Sequence, residues 1–106
     1  LLIQRMVDDY NYTHAGTYVH VENKGSYRDT LNAAILAAQQ GNPPHLVQIF
    51  EVGSQLALDS GIFVPFSDLA KPEEYHPDDL ISGVANYYKF NGKFYSMPWN
   101  SSNPIL

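Results

Sequence analysis

The stretch from Ser26 to Phe50 constrains the fold more than any other part of this chain. Ser26 carries the short side-chain oxygen that caps a helix, and from Tyr27 to Gln40 the apolar residues Leu31, Ala34, Ile35 and Ala38 recur on one helical face. Gly41 ends the pattern. Asn42-Pro43-Pro44 then forbids continuation, because proline lacks the amide a helix needs and clashes with the turn before it. His45-Leu46-Val47-Gln48-Ile49-Phe50 follows as a short, nearly continuous apolar run, the pattern of a strand buried on both faces of a parallel sheet. A helix fixed at both ends and followed at once by such a run predicts an α/β chain in which helices and strands alternate.

The flanking segments fit that rhythm. Leu2, Ile3, Met6, Val7 and Tyr10 sit one turn apart and predict the last turns of an amphipathic helix ending near Asn11, so the chain is expected to begin in mid-element. Thr13-His14-Ala15-Gly16 is a turn, and Thr17 to Glu22 alternates β-branched and aromatic residues as a strand does. Asn23-Lys24-Gly25 breaks it. After the apolar run, Glu51-Val52-Gly53 closes the strand and Ser54 to Asp59 supplies a short helix ended by Gly61.

The remainder is less regular. Phe63-Val64-Pro65 predicts an extended piece, Ser67-Asp68-Leu69 a turn, and Lys71 to Tyr75 a polar connection. Pro77-Asp78-Asp79 predicts the first turn of a helix, with Leu80, Ile81 and Val84 on its buried face. Tyr87-Tyr88-Lys89-Phe90, then Asn91-Gly92, then Lys93-Phe94-Tyr95-Ser96 predicts a hairpin with a two-residue type I′ turn. Met97 to Pro104 is a polar, proline-bounded loop, and Ile105-Leu106 is expected to start another strand.

Composition narrows the function. The chain has 106 residues, the length of one small domain. Six Lys and Arg against eleven Asp and Glu leave a net charge of −5, so there is no basic excess to pair with nucleic acid or with an anionic membrane surface. With no cysteine there is no disulfide, thiolate zinc site or cysteine nucleophile. Eight tyrosines give many side chains that join an apolar ring to a polar tip, as wet binding surfaces require.

The common catalytic and cofactor strings are missing. No GxGxxG, Walker A, GxSxG or HExxH occurs, and no cofactor is expected. His14, His20, His45 and His76 have no metal-binding spacing. Glu51 with Asp68, Glu73 or Asp79 could form the carboxylate pair of a glycosidase, but the spacing selects none of them. Asn11-Tyr12-Thr13 and Asn100-Ser101-Ser102 match the glycosylation sequon, a match common by chance.

Ligands of open α/β sheets bind beyond the carboxyl ends of strands, which directs attention to three places. Glu51 directly follows the apolar run; its plain alternative is a strand-end carboxylate or a cap for the next helix. Tyr27 follows the other predicted strand in the first turn of the helix capped by Ser26; its plain alternative is a surface tyrosine. Asn100, Ser101 and Ser102 form a run of small hydrogen-bonding groups between Trp99 and Pro104, and as a turn they need no function.

Taken in order, Gly25-Ser26-Tyr27, Gln40-Gly41-Asn42-Pro43-Pro44, Gln48-Ile49-Phe50-Glu51-Val52-Gly53 and the stretch from Gly92 to Leu106 resemble the extracellular solute-binding proteins of bacterial ABC importers. Within that family the likeness is greatest to the glycerol-3-phosphate-binding branch. The resemblance implies a two-lobed, periplasmic-binding-protein type II-like α/β fold, of which residues 1–106 would be part of the N-terminal lobe, without its first strand and without the second lobe. It implies a non-enzymatic protein that closes over a polyol, sugar or glycerol phosphate and passes it to ABC permease subunits. Tyr27, Glu51 and Ser102 match ligand-contacting positions of the branch, and Asn100 and Ser101 share the loop of Ser102. A periplasmic or extracellular location, free or lipoprotein-anchored, is implied too, with the export signal upstream of Leu1 and membrane contact only through the permease or an anchor. The alternative is a fragment of a carbohydrate-active enzyme with Glu51 as a catalytic carboxylate.

Overall fold

Helix α1 spans Leu2–Thr13 in the computed structural model, which describes residues 2–71, 73–74 and 76–100. It runs past the expected end at Asn11 because the Asn11 side chain does not stop it. Thr13 Oγ1 instead donates back to the Asp9 carbonyl at 2.9 Å, and the His14 amide donates to Tyr10 O at 3.0 Å. The Asn11 amide reaches forward: its Nδ2 donates to Val19 O at 2.8 Å and its Oδ1 accepts from Val19 N at 2.7 Å. The apolar stripe Leu2, Met6 and Tyr10 is exposed.

Helix α2 covers Tyr27–Gln39, close to the expected boundaries. Ser26 caps it in extended backbone with a reciprocal pair of bonds. Its Oγ accepts from Asp29 N at 3.1 Å, while its own N–H donates to Asp29 Oδ2 at 3.4 Å. The far end closes through Gly41 N donating to Ala38 O at 3.0 Å and Asn42 N donating to Ala37 O at 2.9 Å. Leu31 and Ala34 are the buried residues of α2, and Leu31 is only 1% exposed. Burying a side chain of that size is worth about 1.5–3 kcal/mol.

A 3-10 turn at Glu51–Gly53 leads into α3, Ser54–Ser60, which buries Ala57 and ends before Gly61 as expected. Helix α4, Phe66–Leu69, occupies the predicted turn. Around Pro77 the expectation needs correcting. Pro77–Asp79 is a separate 3-10 turn, and α5 begins later, at Ser82–Ala85, because Ile81 adopts extended backbone and interrupts the helix. Ile81 is accordingly 77% exposed rather than buried, and Ala85 takes the interior position.

A hairpin follows where Asn91-Gly92 predicts one. β1, Lys89–Phe90, pairs antiparallel with β2, Lys93–Phe94, placing Lys89 opposite Phe94 and Phe90 opposite Lys93. Asn91 and Gly92 both have positive φ, 52° and 77°, the pair of left-handed residues that a type I′ turn demands. α4 lies against the hairpin, with Phe66 N donating to Tyr95 O at 3.4 Å and Lys93 Nζ 3.2 Å from both carboxylate oxygens of Asp68.

The parallel sheet behind the α/β expectation does not form among the described residues, where this hairpin is the whole of the ladder structure. Thr17–Glu22 and His45–Phe50 are neither helix nor ladder. Within the first, the Asn11 side chain makes both hydrogen bonds to the Val19 backbone that a neighbouring strand would make. The second is not covered on both faces, for Leu46 is 88% exposed. The chain divides into two compact units, one ending at Gln55 and the other starting at Leu56. Ile105-Leu106, read as the start of a strand, lies outside the described residues.

Candidate functional site

Tyr27 is the first residue of α2, so the capping box that fixes Ser26 and Asp29 also fixes where the tyrosine leaves the helix. Upstream, Asn23 Oδ1 accepts from Gly25 N at 2.9 Å and turns the chain into the cap. Tyr27 is 56% exposed, and its ring stacks on Phe50 with centroids 5.7 Å apart and planes inclined by 19°.

Phe50 is the last residue of the apolar run and stands in extended backbone, φ −89° and ψ 156°. The chain then folds back in the 3-10 turn, where Gly53 N donates to Phe50 O at 3.0 Å and Ser54 N to Glu51 O. Glu51 is the first residue of that turn and is half-buried. The Tyr27–Phe50 stack thereby joins the two segments that carry Tyr27 and Glu51, residues distant in sequence.

Asn100 is exposed and lies in the second unit. Ser101 and Ser102 lie outside the described residues. Phe50 and Gly53 belong to the Gln48-Ile49-Phe50-Glu51-Val52-Gly53 string that carries the family resemblance, but neither is among the expected site residues. Phe50 looked like the end of a buried strand and Gly53 like its terminator. Gly53 is buried, and a Cβ built on it would lie 2.7 Å from Phe50 Cε1 and 3.0 Å from Cδ1. Its signal in the sequence was a glycine closing a string that already had an aromatic residue two places before the intervening valine.

Just upstream of the Ser26 cap, one carboxylate has two partners. Lys24 bonds to Glu22, and His20 Nε2 lies 3.6 Å from the same carboxylate. The Lys24 hydrogen bond, followed by its charge, holds the Glu22 carboxyl below its ordinary range, with His20 adding to the effect. The groups at Tyr27 and Glu51 have complementary chemistry: a phenol hydroxyl both donates and accepts, while an ionised carboxylate accepts. Among the described residues no group of three His, Asp or Glu gathers as a metal site, and no helix is long and apolar enough to cross a membrane.

Residues 5–106 match the family described as bacterial extracellular solute-binding protein, and the chain belongs to that family. It is 32% identical to the sn-glycerol-3-phosphate-binding periplasmic protein UgpB of Agrobacterium fabrum, over 99% of this chain and 25% of that protein. The UgpB of Rhizobium meliloti gives the same figures, and that of Yersinia enterocolitica is 30% identical over 98% of this chain and 25% of its own length. The chain therefore spans about a quarter of the length of the curated relatives it matches. The family consists of binding components, which gives the carbohydrate-active enzyme alternative no support.

Proposed function

We propose that this chain is part of the N-terminal lobe of a two-lobed α/β solute-binding protein, the periplasmic or extracellular component of an ABC importer. It contributes one wall of a site for glycerol 3-phosphate or a related polyol or sugar, which the protein delivers to permease subunits. Free and lipoprotein-anchored forms are both compatible with this role. The observation that carries the reading is the Tyr27–Phe50 stack, which ties the first turn of α2 to the turn that begins at Glu51. The relatives named for binding sn-glycerol 3-phosphate supply the solute class.

The roles follow from donor and acceptor chemistry. Glu51 accepts hydrogen bonds from neighbouring hydroxyls of a polyol, and Tyr27 both donates and accepts. Asn100, Ser101 and Ser102 are the further candidate solute contacts, small side chains that can donate and accept hydrogen bonds. Glu51 repels a phosphate, so it reads the hydroxyl end. The phosphate takes its countercharge from cations and N–H groups beyond this chain, consistent with a net charge of −5 here. Closure of two lobes over the solute would then couple binding to delivery, because ligand contacts favour the closed state.

A thermal-denaturation screen of the full-length protein tests this. Glycerol 3-phosphate, glycerophosphodiesters and simple sugars are added at about 100 times the expected Kd, where a native-state ligand stabilises by about 2.7 kcal/mol. At least one of these solutes should raise the midpoint. A midpoint indifferent to all of them would refute the proposal.

A further inference from the structure

Gly53 does not owe its place to backbone conformation. It is absent from the positive-φ glycines of the chain, Gly25, Gly41, Gly61 and Gly92, and it sits in a 3-10 turn that any L residue could adopt. What requires glycine is the edge of the Phe50 ring. An added Cβ would come within 2.7 Å of Cε1, 3.0 Å of Cδ1 and 3.2 Å of Cζ, closer than a methyl group can approach an aromatic carbon. The same ring carries Tyr27 on its face at 5.7 Å.

We infer that Gly53 is a positioning residue for Tyr27: by leaving room for the Phe50 ring, it sets the orientation of the tyrosine through that ring. The clash partner is the outer edge of a rotatable side chain, not backbone. An alanine at position 53 is therefore relieved by a swing of the Phe50 ring, at small cost in stability, and the swing removes the surface on which Tyr27 stacks. The consequence for ligand rests on the proposed role of Tyr27 in solute binding; the consequence for the Tyr27 ring does not.

The test uses the full-length protein with sn-glycerol 3-phosphate as the probe. In Gly53→Ala the Tyr27 ring-proton resonances, which sense the ring current of Phe50, should shift toward the positions they take in Phe50→Leu. The urea midpoint should change little, and affinity for the probe should fall about two- to tenfold, the worth of one aromatic stack. A purely structural glycine would lower the midpoint and leave the Tyr27 resonances in place, and that result would overturn the inference. Shifted resonances with unchanged affinity would uphold the positioning and instead count against Tyr27 as a ligand group. Should Gly53→Ala fail to fold, Phe50→Leu/Gly53→Ala decides: a folded double variant upholds the close approach, and an unfolded one overturns it.

Discussion

Ser26→Ala removes one acceptor and nothing else of consequence. In the native chain the Asp29 N–H donates to Ser26 Oγ at 3.1 Å, and that bond is lost. The Ser26 backbone N–H keeps Asp29 Oδ2 at 3.4 Å, and the Ser26 carbonyl keeps the Thr30 amide at 2.9 Å. The loss is thus one side-chain cap, about 1 kcal/mol, or a factor of about five in the local opening equilibrium. Amide hydrogen exchange in the full-length protein reads this directly. Exchange at Asp29 should accelerate about fivefold, whereas Leu36, in the body of α2, should stay at its native rate. Ser26→Asp, which restores an acceptor, should bring Asp29 back near the native rate. Unchanged exchange at Asp29 in Ser26→Ala, or equal acceleration at Leu36, would refute the argument that this oxygen holds the first turn. Because Tyr27 opens that turn, the same variant should also weaken solute binding.

Two further outcomes follow from the packing and the charge pairs. Leu31→Ala should destabilise the protein by about 2–5 kcal/mol in urea denaturation, since it empties the most deeply buried large side chain described; a loss below 1 kcal/mol would contradict that burial. The Glu22 carboxyl, lowered in pKa by the Lys24 hydrogen bond and charge, adds stability above its unfolded-state pKa and loses it as pH falls through the folded-state pKa. NMR titration of Lys24→Ala should therefore show Glu22 returning toward the ordinary carboxylate range, and an unmoved titration would contradict the pairing.

Local chemistry was what the sequence made legible. Ser26 defines the start of α2, Gly41 before Asn42-Pro43-Pro44 defines its end, and Asn91-Gly92 dictates a hairpin, because each signal acts over only a few residues. Pairing between strands is not local. Whether Thr17–Glu22 or His45–Phe50 joins a ladder depends on what lies alongside, and the Asn11 side chain meeting the backbone of Val19 could not be read from composition or alternation. α5 shows the limit of periodicity: Leu80, Ile81 and Val84 fit a helical face, yet Ile81 is extended. At the site, side-chain chemistry and expected chain position made Tyr27 and Glu51 candidates. The stack that links their segments, and the clearance Gly53 gives it, are tertiary facts with no counterpart in spacing.

In the proposed function Glu51 is the carboxylate that reads the hydroxyl end of the solute. Calorimetric titration of the full-length protein with sn-glycerol 3-phosphate, native against Glu51→Gln, tests this most directly. Loss of a charged hydrogen bond costs about 1.5–3 kcal/mol, so affinity should weaken roughly ten- to a hundredfold. Equal affinity in the two proteins would contradict the account.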